Sequence, residues 1–243
     1  MSRIKKRIPR PLLVVSLVLA TMLAAGLGFH QATANANSTN LNVQTVNQTG
    51  QSFGVAWYTT RATSGGSIDY GPTCATATHS VAEQPGNGYG HLVSVPGGLA
   101  PNTTYYYKIV SSGTVDSNGG TCYTAKTLPA QTLPPTPATI YGIFETNNCS
   151  TPVAGGLVEV SLDQGSSGSS SQTLATIASS TGTWAIPFGV AAMSDGTYES
   201  PAAGDTIEIH GIGPNGKTGE KDLAYNGKAQ LIGPKTVCTF AYN

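Results

Sequence analysis

From Leu41 onwards, apolar residues recur in short alternating stretches, each ended by a cluster of Gly, Asn, Pro or Ser. Leu41 and Val43 open the series, Phe53, Val55 and Trp57 alternate with small or polar neighbours, and Ile68 and Tyr70 precede a Gly71-Pro72 turn. Leu92, Val93 and Val95 follow, and then Tyr105, Tyr107 and Ile109 fall in step. A period of two puts one face of each strand inside, so the second strand is predicted to bury around the indole of Trp57. Past residue 36 no window keeps a helical period for more than two turns. Turn signals spaced about ten residues apart predict an all-β chain of antiparallel sandwiches.

The segment Leu128 to Ala138 carries four prolines in LPAQTLPPTPA, which favours extended geometry and resists both helix and sheet interior. It divides the pattern into a first module, 37–128, a linker, 129–138, and a second module, 139–243. The second module opens with Ile140-Tyr141-Gly142-Ile143-Phe144 and continues through Gly156-Leu157-Val158-Glu159-Val160. Further strands are expected at Gly182-Thr183-Trp184-Ala185-Ile186, Gly204-Asp205-Thr206-Ile207-Glu208-Ile209 and Thr236-Val237-Cys238-Thr239-Phe240.

The first 36 residues read differently. Arg3, Lys5, Lys6, Arg7 and Arg10 precede an uncharged, mostly apolar run from Pro11 to Phe29, and small residues at Ala32, Ala34 and Ala36 supply A-x-A sites. This is the order of a secretory signal peptide, with an uncleaved anchor helix as the alternative reading. Either way the remainder is expected outside the cytoplasm, secreted or at the cell surface, touching a membrane only through this segment.

Composition narrows the function. The chain has 12 Lys+Arg and 12 Asp+Glu; removing the five basic leader residues leaves seven against twelve, a net charge of −5. Only 10% of residues are charged and no broad basic face is available, which excludes a nucleic-acid binder. An acidic, hydroxyl-rich surface suits a soluble extracellular protein.

The four cysteines divide two and two, Cys74 and Cys122 in the first module and Cys149 and Cys238 in the second. In an exported chain they read as disulfides paired within modules, with two other connectivities formally open. Each staple restricts the unfolded chain by about 4 kcal/mol in the entropic account. Their separations of 48, 27 and 89 positions do not fit a zinc site, so no metal is expected.

VAWYT (Val55 to Thr59), SIDYG (Ser67 to Gly71), GLAPNTTYYYKIV (Gly98 to Val110) and AKTLP (Ala125 to Pro129) resemble a fibronectin type III domain. SIDYG is also similar to the amino-terminal sandwich of purple acid phosphatases, but another β module stands where their two-metal domain would follow. The resemblance implies that the phenol of Tyr105 bonds the backbone of the preceding turn. PVAGGLVEV, the Gly-Thr-Trp-x-Ile strand and GDTIEI resemble the prealbumin-like sandwich of Cna protein B-type and carboxypeptidase regulatory-like domains. Some of those domains carry a Lys–Asn bond, but no lysine occurs between Lys126 and Lys217, so a Cys149–Cys238 disulfide is expected as the equivalent clamp.

No catalytic, cofactor-binding or metal-binding residues emerge. His79, His91 and His210 lack a ligand or base pattern, His91 and His210 are expected on strand faces, and Gly165 to Ser171 is not a nucleophile elbow. Asp205 reads as a turn residue, and Glu208 is expected on the solvent face opposite Ile207 and Ile209. Function is therefore expected on loops: Tyr89 in PGNGYG, and Asp116 and Asn118 in GTVDSNGG. Asn37, Asn47, Asn102 and Asn148 satisfy N-x-S/T. The expectation is an exported, non-catalytic adhesion, spacer or assembly module acting through loops and strand edges. Its partner would be an extracellular protein or glycan. Two alternatives stand beside it: an accessory part related to secreted hydrolases, and a self-assembling filament subunit.

Overall fold

A computed structural model describes residues 40–63, 65–131, 139–145, 151–164, 169–188, 191–193, 196–199, 201–213, 218–227 and 230–232. The segment expected to be a leader, most of the proline segment, and Cys149 and Cys238 lie outside the described residues.

Up to Lys126 the chain forms β1 (Asn40–Val46), β2 (Gly54–Thr59), β3 (Ser67–Gly71), β4 (His79–Ala82), β5 (Gly90–Ser94), β6 (Thr104–Ser111), β7 (Thr114–Asp116) and β8 (Tyr123–Lys126). One sheet runs β1-β2-β5; the other runs β4-β3-β6-β7, with β8 also paired to β6, and every pair is antiparallel. Phe53, Val55, Trp57, Val93 and Val95 from one side meet Ile68, Tyr107, Ile109 and Ala125 from the other, as the alternation predicts. Ala100 N–H donates to Tyr105 Oη at 3.0 Å, tying the strand to the preceding turn. Cys74 and Cys122 form a disulfide with Cα atoms 5.7 Å apart.

The second half forms β9 (Thr139–Ile143), β10 (Leu157–Gln164), β11 (Ser169–Ser170), β12 (Leu174–Ile177), β13 (Thr183–Pro187), β14 (Ala191–Ala192), β15 (Tyr198–Glu199), β16 (Thr206–Ile212), β17 (Thr218–Ala224) and β18 (Gln230–Ile232). The larger sheet runs β11-β10-β16-β17, with β12 also on β10; the smaller runs β13-β9-β18. Val158, Val160, Leu162, Ile207 and Ile209 face Ile140, Trp184 and Ile186 across the second core. One pairing departs from the expected antiparallel order, because β18 lies parallel to β9. Among the described residues there is no α-helix, only a single 3₁₀ turn at Asn118–Gly120.

A third core joins the two halves. Val46, Ala56 and Leu92 pack on Leu157, Ala175 and Ile212, with Tyr58 and Ile177 at the margin. The β1-β2-β5 sheet is therefore covered on both faces. Val55, Trp57 and Val93 point into the first sandwich, and Ala56 and Leu92 point into the seam. This explains the almost unbroken burial of β2 and β5, a pattern of sheets buried on both sides. The sequence reading buried only one face of β2; the difference arises because the second sandwich supplies a partner for the other.

Candidate functional site

The densest polar grouping in the first sandwich surrounds His91, at the inner end of β5. Its Nδ1–H donates to Glu83 Oε2 at 2.6 Å, and Gly66 N–H donates to Glu83 Oε1 at 2.9 Å. On the other side, Nε2 lies 3.1 Å from Thr59 Oγ1 and 3.2 Å from Thr63 Oγ1, and Thr63 in turn is 3.4 Å from Ser111 Oγ. The Thr59 hydroxyl donates to Arg61 O at 2.7 Å, so it turns a lone pair toward His91. Both ring nitrogens thus find hydrogen-bond partners. Trp57 covers one face of the ring, stacked at 5.0 Å with an interplanar angle of 11°.

Glu83 follows β4 and His91 belongs to β5, so the pair bridges the two sheets. Burial pushes the Glu83 carboxyl up, but the His91 bond, the Gly66 N–H, the His91 charge and the Gly65 N–H together hold it below its ordinary value. In outline this is an acid–imidazole–hydroxyl relay, the shape used to activate a nucleophile. Its imidazole and hydroxyl are hidden, His91 being 2% exposed and Thr59 fully buried, while the Glu83 side chain is 13% exposed. The relay pins the segments around Thr63 and Gly88, where Thr63 N–H donates to Gly88 O at 2.8 Å.

The sequence reading placed His91 on a strand face with no neighbouring carboxylate pair; it lies on β5, and the fold adds one carboxylate, Glu83, brought against it from the end of β4. Eight positions of separation carry no motif, so pattern alone had no means of finding the pair.

The loop residues singled out from sequence take structural places. Asp116 Oδ1 accepts from Asn118 N–H at 3.0 Å and Oδ2 accepts from the Tyr123 hydroxyl at 3.0 Å, while Asn118 Nδ2 donates to Cys122 O at 3.4 Å. Both side chains shape the turn beside the disulfide. Tyr89 is half-buried, and its loop faces the second sandwich: Asn87 N–H donates to Gly155 O at 2.9 Å, and Gly90 lies directly on Leu157. Trp57 and Trp184 are core residues whose indole nitrogens have no hydrogen-bond partner.

Among the described residues, one carboxyl group is buried at the seam between the halves. Glu159 is 7% exposed and accepts a hydrogen bond from Gln44 Nε2 of β1. Burial raises its carboxyl from 4.5 to about 7, against the opposing pull of the Gln44 bond. His210 is its register partner on β16 and is exposed. As expected, Asp205 serves a turn, its Oδ2 accepting from Ala202 N–H at 2.8 Å. Glu208 lies opposite the buried Ile207 and Ile209 and accepts from the Ser161 hydroxyl at 3.0 Å.

A groove of about 530 Å3 runs over β9 and β13, lined by Tyr141, Ile143, Thr183 and Trp184 among others. Tyr141 and Val115, 39% and 57% exposed, are the large apolar residues on the surface among the described residues. No group of three or more His, Cys, Asp or Glu among the described residues is placed to hold a metal ion.

No protein-family model matches the chain, and no curated protein matches it either. Among solved structures it is similar to a group B streptococcus pilus 2b backbone protein, at 9% identity and a TM-score of 0.27, over 84% of this chain and 98% of that one. It is also similar to a structure from a 1.5-MDa bacterial ice-binding adhesin, at 12% identity and a TM-score of 0.22, over 80% of this chain and 66% of that one.

Proposed function

We propose that the chain is an exported, non-catalytic structural module of the cell surface or extracellular space. It carries its surfaces on two sandwiches fused into one support, the first (37–128) fibronectin type III-like and the second (139–243) prealbumin-like. The observation that carries the reading is the buried relay: the arrangement nearest to a catalytic one, Glu83–His91–Thr59, hides the imidazole and the hydroxyl from solvent and spends its bonds on holding chain segments together. The Cys74–Cys122 disulfide supports an oxidising compartment. The Ala100–Tyr105 bond supports the type III assignment, since a phenol tied back to the preceding turn marks such sandwiches.

Adhesion or spacing is the role that two sheets locked through a shared apolar seam serve best, because an extended apolar contact resists relative motion of the halves. The test is a panel of phosphoester, glycoside and carboxyl-ester substrates offered to the purified chain, alongside protease shaving of intact producing cells. Exposure to shaving with no turnover is expected. Turnover that persists through purification and is lost in His91→Ala overturns the non-catalytic reading, and protection from external protease in intact but not lysed cells overturns the location.

A further inference from the structure

Among the described residues, the apolar cluster of the seam is bordered by one buried acid. Glu159 lies on β10 between Ala175 of β12 and His210 of β16, on the face shared with Leu157. Its partner from the first sandwich is the neutral amide of Gln44. The facing strands offer no cation: β1 reads NLNVQTV, β2 reads GVAWYT, and the one titratable side chain of β5, His91, is committed to Glu83 in the first sandwich. β12 reads LATI. On β16, His210 is exposed and paired in register with Glu220 of β17, while Glu208 is bonded to Ser161; Asp222 of β17 is exposed and adds only negative charge. A carboxylate held here has one amide donor and no neighbouring buried cation, and taking an ion out of water on such terms is costly. The neutral acid fits; the ion does not.

We infer that Glu159 is a proton-operated latch, closing the seam between the sandwiches when its carboxyl carries a proton and loosening it when the proton leaves to solvent. The step is a simple ionisation. In the closed state the protonated carboxyl keeps its bond from Gln44 in an apolar surround; in the loosened state the carboxylate is hydrated and Val46, Ala56 and Leu92 lose their cover.

The sign follows from linkage. The carboxyl holds its proton more tightly when buried, from 4.5 up to about 7, so closure is strongest below about 4.5 and weakens as pH rises to about 7. Over that interval the closing equilibrium falls about tenfold per pH unit, roughly 300-fold in all, and changes no further above it. A protein with this device is tightest in acidic surroundings and looser at neutrality.

The experiment is amide hydrogen exchange of the full chain at pH 5 and pH 7, each corrected for the intrinsic rate. It is read at Ala175, whose N–H is bonded to Asn47 across the seam. In the wild type, protection at Ala175 falls about 40-fold between the two values. In Glu159→Gln, which keeps shape and hydrogen bonding without a charge, it changes less than threefold. Gln44→Met removes the donor that favours the ion, so the fall in protection continues beyond pH 7. Wild-type protection constant within threefold, a Glu159→Gln variant with the wild-type fall, or a Gln44→Met variant with an unshifted window overturns the latch.

Discussion

Asn47 and Ala175 exchange a pair of hydrogen bonds across the seam: Asn47 Nδ2 donates to Ala175 O at 2.9 Å, and Ala175 N–H donates to Asn47 Oδ1 at 2.9 Å. The amide of a first-half side chain thus completes the ladder of β12, which pairs with β10 along its other edge. The Asn47 backbone, at φ 51°, sits in the left-handed region that asparagine tolerates, and its N–H adds a bond to Thr173 O at 3.0 Å. Asn47 also heads an N-x-T sequence, and a glycan on its Nδ2 would have to lie within the seam.

Replacing Asn47 by alanine removes two bonds and strands the backbone groups of Ala175. We expect a loss of about 1–3 kcal/mol in urea unfolding, since each unmet buried group costs on that scale. Asn102→Ala, at another N-x-T site with the same left-handed backbone (φ 53°) but an exposed side chain, costs only the backbone strain of about 1 kcal/mol and serves as the control.

Gly90 tests the closeness of the halves. A Cβ there would collide with the Cβ of Leu157 and approach its backbone N to 3.2 Å. Gly90→Ala is expected to destabilise by about 1–3 kcal/mol through overpacking, and Leu157→Ala by about 2–5 kcal/mol through the cavity it leaves. Combined, the two should cost at least about 1 kcal/mol less than their sum, because each relieves the other. Strict additivity in a double-mutant cycle would place the residues apart.

The Glu83 carboxyl titrates below its ordinary value in the folded chain. A group with a lowered folded pKa contributes stability above its unfolded value and loses it as pH falls through the folded one. Thermal unfolding followed between pH 3 and pH 6 should therefore show Tm declining on the acid side, below about 4.5, and Glu83→Gln should flatten that decline while lowering Tm at pH 6. Because Glu159 acts with the opposite sign above about 4.5, the wild-type maximum is expected near that value rather than at neutrality.

The Cys74–Cys122 bond closes a sequence separation of 48. Replacing both residues by alanine is expected to lower unfolding free energy by about 4 kcal/mol on the loop-entropy scale, measured by guanidinium denaturation against the oxidised wild type. A change below about 1 kcal/mol would mean that the unfolded chain is already restricted in this region.

The first sandwich was legible in its alternation: Phe53, Val55 and Trp57 face inward because a period of two leaves them no other common side. The seam was partly legible as well. Adjacent apolar pairs, Leu92-Val93 and Leu157-Val158, each need cover on two faces, which a lone sandwich does not supply. Asn47, Gln44 and Glu159 carried no such signal, since a polar residue on a strand looks the same whether water or another sheet lies opposite. The Glu83–His91 pair was invisible for a different reason, because its members lie on different sheets and their meeting depends on how the sandwich closes.

The doubly covered β1-β2-β5 sheet has a consequence for how the chain is made. Val46, Ala56 and Leu92 emerge early, and their partner Ile212 emerges more than a hundred positions later. At ordinary synthesis rates that delay is on the order of ten seconds, during which the nascent first half carries a bare oily flank. Holding proteins that recognise such flanks have a natural handle there, and a fragment ending near residue 131 would keep the handle for life and be prone to clump.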